Sequence, residues 1–304
     1  MTAILEDLNQ EFHLGNKFTL RTAIELANIL DNNYRVIVKY DPQDLPHYND
    51  ERLNVVISTS RETHGVPNEF HRDDVFVIFQ HYYMLDQWND PWYNTLVYPM
   101  PIGTFIDGFD AKFIRPLPER KYDFSFIGQI PHTGTRDCFK RNLDNLLETS
   151  GDKFKYFVRY TDGFNKGLDT DEYLDLLGDT KICLCPQGAY SNETFRFFEA
   201  ILMGAIPMVE HLPKLWYYEN APFMQTKWIK LDQSLSICLN NLQTEASRKI
   251  LYRIAHYAQT VLHPASLAKI LKEKIDYRYQ HQESGKEHIQ TLRNILNENK
   301  DWSY

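Results

Sequence analysis

The chain has 304 residues, a formal net charge of −8 and 43% hydrophobic residues, which suits about two domains with ample cores. The acidic balance speaks against a general nucleic-acid or anionic-membrane surface, while leaving room for a local basic site. With 4 cysteines, no CxxC pair and no Cys/His cluster at zinc spacing, the thiols are expected to be free and the compartment reducing.

The opening stretch, MTAILEDLNQEF, is acidic and lacks an apolar core, so no signal peptide is expected. No apolar run approaches the ~20 residues of a membrane span. Phe18 to Leu30 has apolar residues at helical spacing and stops at Asp31-Asn32-Asn33. Arg35–Tyr40, Leu53–Ser58, Val75–Phe79 and Thr95–Tyr98 read as strands, and the loops after them carry Arg61, Glu62, His64, His71 and His81. Such alternation predicts a parallel sheet.

From Tyr98 to Pro118 proline and glycine crowd together and apolar periodicity disappears, which predicts a linker. Tyr122–Ile127 is then a fresh buried strand, with Gly128 expected to turn the chain. Arg136 opens a helix carrying Phe139, Leu143, Leu146 and Leu147; it is either a solvated residue or a phosphate ligand at a helix N-terminus. Lys155–Tyr160 is the next strand. Thr170 is expected to cap the helix that runs through Leu177, so Asp169 and Asp171 are read as helix-start residues, not a metal clamp.

The stretch Lys181–Val209, KICLCPQGAYSNETFRFFEAILMGAIPMV, is the most informative. A buried strand through Cys183 and Cys185 ends at Pro186 and Gly188. Ser191 or Asn192 is the expected N-cap of a helix reaching Gly204, and Ile206–Val209 is a second strand with Pro207 at its edge. At ~100° per residue Asn192, Arg196, Glu199 and Met203 share one line, which predicts an exposed polar stripe. Glu193 lies off it. Arg196 could pair with a phosphate and Glu199 with a ribose diol; read alone, the two also fit a surface i,i+3 ion pair. Trp228–Leu231 is expected as a last strand, before helices from Leu235 to about Tyr277, broken at Pro264, and from Ser284 to Leu296.

Cys183-Leu-Cys-Pro-Gln-Gly188, Arg196-Phe-Phe-Glu199-Ala200 and Gly204-Ala-Ile-Pro207 resemble the donor-site signature of exostosin-like glycosyltransferases, and Pro101-Ile-Gly103 with Phe124-Ser-Phe-Ile-Gly128 fits the same pattern. The resemblance is specific from Tyr98 to Val209 and fades before residue 90. It implies an α/β chain with two Rossmann-like domains facing across a cleft, the GT-B arrangement, and C-terminal helices. The expected divisions are 1–110 for the acceptor side, 119–278 for the nucleotide sugar, and 279–304 for a terminal helix packing on the first domain.

It further implies transfer of a sugar from a UDP- or GDP-sugar to a hydroxyl of a glycan or glycoconjugate, without a metal or other cofactor. The implied donor site comprises Gly128, Arg136, Arg159, Pro186, Gly188, Tyr190, Asn192, Thr194, Arg196 and Glu199. His64 is the chosen base, ahead of Glu62, His71 and His81, because histidine titrates near neutrality. No nucleic acid and no integral membrane segment are expected; the location is read as cytoplasmic, with any membrane contact made through the acceptor. A hydrolysing epimerase and a non-catalytic nucleotide-sugar-binding protein are the rival readings.

Overall fold

The computed structural model describes residues 2–7, 17–39, 45–59, 74–81, 97–104, 115–130, 134–163, 166–188, 193–242 and 245–280. The chain divides into two compact units. One comprises Met1–His13, Thr19–Pro101 and Pro264–Tyr304, the other Leu14–Phe18 and Ile102–His263.

The first unit contains β1 (Ile4–Asp7), α1 (Lys17–Ile29) from Thr19 onward, β2 (Tyr34–Lys39), β3 (Leu53–Ser58), β4 (Val75–Gln80) and β5 (Val97–Pro99). They form a five-stranded sheet in the order β1-β2-β3-β4-β5, every pairing parallel. β2 and β4 are buried along their whole length, as their runs of Val, Ile and Phe require of strands covered on both faces. The charge of Arg35 within β2 is compensated. Arg35 Nε meets Glu6 at 3.0 Å and Nη2 meets Asp50 at 2.6 Å, while its guanidinium lies 3.6 Å from the centre of the Tyr48 ring.

Pro264 does more than break a helix: it opens α7 (Pro264–Gln280), which belongs to this first unit. Leu267, Ala268, Leu271 and Ile275 form its buried face, and Arg278 lies over the Phe76 ring of β4 at 5.3 Å. The sequence reading carried the second domain through 278; the second unit ends at His263. The helix expected from Ser284 lies outside the described residues.

The second unit runs β6 (Tyr122–Gln129), α2 (Gly134–Thr149), β7 (Tyr156–Thr161), α3 (Thr170–Gly178), β8 (Thr180–Leu184), α4 (Phe195–Leu202), β9 (Ile206–Val209), β10 (Met224–Gln225), α5 (Leu231–Leu242) and α6 (Ala246–Thr260). Its sheet has the order β10-β9-β8-β6-β7, again all parallel. The chain thus starts at β6, steps outward to β7, returns past β6 to β8, and continues the other way. The boundary between β6 and β8 is where strand order reverses, and in open parallel sheets a crevice opens there at the carboxyl ends.

Several local expectations change. Gly128 does not end β6; it lies inside the strand, paired with Tyr160. Pro207 is the second residue of β9, which lies between β8 and β10. In a parallel ladder each residue directs both its polar groups to one side. Met208 accepts from Cys185 of the β8 side and Val209 from Thr226, so position 207 faces β10, whose pairing begins only opposite Met208. Its missing N–H therefore interrupts no ladder.

Asp169, not Thr170, caps α3: its side chain accepts from the Glu172 N–H at 2.8 Å, and Glu172 accepts in return from the Asp169 N–H at 3.3 Å. That reciprocal pair satisfies two orphan donors, which Thr170 could not do. Trp228–Lys230 is a 3-10 turn, and the last strand is Met224–Gln225 instead. α4 begins at Phe195, with Thr194 at the N-cap position making no side-chain cap bond.

Candidate functional site

α4 follows β8 and points its N-terminus towards the carboxyl edge of the sheet. Phe197, Phe198, Ala200, Ile201 and Leu202 are all buried. Phe197 packs edge-on against Phe198 and Tyr218, with ring centres 5.2 Å apart in each case. Burying each Phe stabilises by roughly 1.5–3 kcal/mol, so an eight-residue helix is held by packing and not by propensity.

The polar line of this helix is not an exposed stripe. Glu199 is only 6% exposed, and its Oε2 accepts from the Tyr173 hydroxyl of α3 at 2.7 Å. Arg196 donates from Nη2 to the Ile127 carbonyl of β6 at 2.6 Å, and its guanidinium lies 4.8 Å from the centre of the Phe126 ring. Nε and Nη1 of Arg196 are buried and meet no hydrogen-bond partner among the described residues. Buried N–H groups of a cation without acceptors are costly, and they mark where an acceptor is wanted.

Arg196 thus reaches from the element after β8 to a carbonyl of β6, across the reversal of strand order. Gly128 makes room for it: a Cβ at that position would stand 2.3 Å from Arg196 Nη2, and its φ is +155°. Arg136 crosses the same boundary further out, donating from Nε to Gln187 O at 2.6 Å and from Nη1 to Gln129 O at 2.7 Å. The end of β6 and the loop after β8 are tied by this one guanidinium. Pro186 and Gly188 of that loop are buried.

The electrostatics are those of a dry cluster. Burial works against the Arg196 charge, yet Tyr173, Cys183, Cys185 and Glu199 around it hold its pKa above the ordinary value. Burial, and after it the Glu199 carboxylate, push the Tyr173 hydroxyl well above its ordinary pKa, so it acts as a donor. Burial raises the Cys185 thiol in the same way; its Sγ donates to the Cys183 carbonyl at 3.4 Å, and the cysteines are free.

The predicted donor residues separate accordingly. Gly128, Arg136, Pro186, Gly188, Arg196 and Glu199 gather at the β6–β8 boundary and on α4, with Thr194 at the α4 N-cap position. Arg159 does not join them: it is exposed on the edge strand β7 and donates to the Gly167 carbonyl at 2.8 Å. Tyr190, Asn192 and His64 lie outside the described residues, as do Glu62 and His71. His81 is buried at the end of β4, 3.3 Å from Thr19 Oγ1, and burial pushes its pKa down to about 3. So weak a base is ill-suited to deprotonating a hydroxyl at neutral pH.

Sequence reasoning missed Tyr173 and set Glu193 aside. Tyr173 shares a helical face with buried Leu176 and Leu177, and the hydroxyl of a tyrosine drawn towards the core needs an acceptor, which was the available signal. Glu193, just ahead of α4, is buried and accepts from Tyr217 at 2.7 Å and Tyr218 at 3.1 Å. It anchors the approach to the helix from the core side.

Residues 110–215, which carry β6 through β9, match the model of a family described as the RXYLT1 C-terminal domain. Ribitol-5-phosphate xylosyltransferase 1 of Homo sapiens is 27% identical over 132 residues, 40% of this chain and 28% of that protein, and the Mus musculus protein matches with the same figures. The chain therefore spans less than a third of the length of these curated relatives. The crystal structure of a glycosyltransferase from Rickettsia africae ESF-5 superposes with a TM-score of 0.50 at 11% identity, covering 91% of this chain and 98% of that one. The fold is the α/β fold of GT-B glycosyltransferases. At such identity the likeness speaks for the fold alone. Among the described residues no helix is long and apolar enough to cross a membrane.

Proposed function

We propose that this protein is a glycosyltransferase that moves a sugar from a UDP- or GDP-sugar to a hydroxyl of a glycan or glycoconjugate. The observation that carries this reading is Arg196: a guanidinium at the β6–β8 boundary, with Nε and Nη1 buried and unpartnered among the described residues. A diphosphate is the ligand whose charge and acceptor oxygens suit those groups. The family match over 110–215 includes the strand–loop–helix unit that carries the motif likeness to exostosin-like enzymes, and the name of the xylosyltransferase relative supports the same reading.

In the proposed reaction the bond between the anomeric carbon and the diphosphate breaks, and a bond from the acceptor oxygen to that carbon forms. Arg196 and the α4 N-terminus stabilise the charge left on the diphosphate, as positioned donors in a dry site do. Glu199 receives the ribose hydroxyls. The acceptor proton passes to a base, for which His64 is the residue chosen from sequence. Arg136 holds the site's frame through Gln129 and Gln187. Protein donors rather than a metal ion are proposed to meet the phosphate charge.

The test is hydrolysis of nucleotide sugars, xylose and other pentoses included, in the absence of acceptor. A transferase leaks slowly to water and releases free sugar and nucleoside diphosphate. Binding without any release would favour the non-catalytic reading. Epimerised sugar among the products would favour the hydrolysing epimerase.

A further inference from the structure

Glu199 is a buried carboxylate on the helix that carries Arg196, and a buried charge needs hydrogen bonds to persist. One comes from a different element: Tyr173 of α3 donates to Oε2 at 2.7 Å. α3 precedes β8 and α4 follows it, so the contact locks together the two helices on either side of that strand in the chain.

The donor is itself held. Asp169 and Glu172 close the first turn of α3 reciprocally, the Tyr173 N–H bonds to the Asp169 carbonyl at 3.0 Å, and Leu176 and Leu177 seat the helix in the core. Tyrosine has two χ angles and a rigid ring, so a ring fixed at its base fixes its hydroxyl. A carboxylate has two oxygens and about four lone-pair directions. Gripping one oxygen decides how the remaining directions are presented.

We propose that Tyr173 is a positioning residue of the donor site, orienting Glu199 to receive the ribose hydroxyls of a nucleoside diphosphate. This rests on the donor-site reading given above. Tyr173 need not touch the nucleotide; its effect passes through Glu199. A tyrosine serving stability alone would affect all ligands equally, whereas a positioning role affects only ligands that carry the ribose hydroxyls.

The experiment is calorimetric titration of UDP and GDP, and of their 2′,3′-dideoxy counterparts, into wild type, Tyr173→Phe, Glu199→Gln and the double variant, with near-ultraviolet circular dichroism as the fold control. Wild type should prefer the ribose forms. Tyr173→Phe should weaken the preferred ribose form on the order of tenfold and leave the dideoxy form nearly unchanged. In the Glu199→Gln background the same change should have little further effect. Undiminished ribose affinity in Tyr173→Phe, or an equal loss for both forms, overturns the proposal. So does loss of ribose preference in Tyr173→Phe that persists unchanged in size when Glu199 is already replaced. If Tyr173→Phe does not fold, Glu199→Gln decides alone: it must abolish the ribose preference, and a preference that survives overturns the proposal. A wild-type protein that binds neither nucleotide overturns the donor-site reading and this inference together; one that binds with a ribose preference untouched by Tyr173→Phe overturns this inference only.

Discussion

Arg196 Nη2 donates to the Ile127 carbonyl at 2.6 Å, and the next residue, Gly128, leaves the space the guanidinium occupies. A strand of one βα unit and a helix of another are joined by this contact, 69 residues apart in sequence. It sits at the reversal of strand order between β6 and β8.

Gly128→Ala should therefore act as a substitution of Arg196 without touching it. The added Cβ would stand 2.3 Å from Nη2, and the backbone at φ +155° disfavours any side chain. Nucleoside-diphosphate affinity should fall by about 1.5–3 kcal/mol, comparable with the loss of a charge-assisted hydrogen bond. Calorimetry on the folded variant checks it; full affinity would separate Gly128 from the site.

Arg120 should matter for stability and not for the nucleotide. It is buried, donates to Thr180 O at 2.7 Å and twice to Arg115 O at 3.0 Å, and burial lowers its pKa to about 10, so it stays charged at neutrality. Arg120→Met leaves these carbonyls without their donor and should destabilise the second unit by about 2–4 kcal/mol. Denaturant unfolding measures this. Nucleotide affinity should not change, because these contacts lie at the amino-terminal end of β8, opposite the carboxyl edge.

His81 predicts a pH dependence. Its folded pKa of about 3 lies below the ordinary value of 6.5, so between those values the unfolded state binds the extra proton. Stability from this group is fully present above about 6.5 and is lost as pH falls towards 3. The loss reaches a few kcal/mol at most. His81→Gln should flatten unfolding free energy over that window, which a denaturation series from pH 7 to pH 4 would reveal. A slope unchanged by the substitution would assign the acid sensitivity elsewhere.

Much of the second unit was legible. β6 to β9 are short runs rich in Val, Ile, Phe and Cys, and they occur close to where those patterns put them, whereas β10 does not. β1 was missed because four residues, two of them acidic, carry no periodic signal. Arg196 and Glu199 were correctly put on one helix face, but that face was expected to be open. Helical spacing tells which residues share a side; it does not tell what covers them. The cover here is Tyr173 on one side and β6 on the other, both distant in sequence. Gly128 was read as a turn for the same reason: the atom that requires a glycine there belongs to Arg196. Asp169 and Thr170 are both good caps in isolation, and Glu172 three residues after Asp169 decides between them.

Turnover should survive a strong chelator. The motive is the set of protein donors at the boundary, Arg196 above all, whose N–H groups, unpartnered among the described residues, can meet diphosphate oxygens directly. Transfer or leak hydrolysis measured with EDTA, then with added Mn²⁺ or Mg²⁺, checks this. Activity abolished by the chelator and restored by either ion would show that a metal carries the phosphate charge.

The central claim is that Arg196 receives a diphosphate at the β6–β8 boundary, and calorimetric titration of UDP and GDP into wild type and Arg196→Ala tests it most directly. At least one nucleotide should bind the wild type, with affinity lower in the variant by about tenfold or more at unchanged fold. Equal affinity in the two proteins, or no binding of either nucleotide to the wild type, would contradict it.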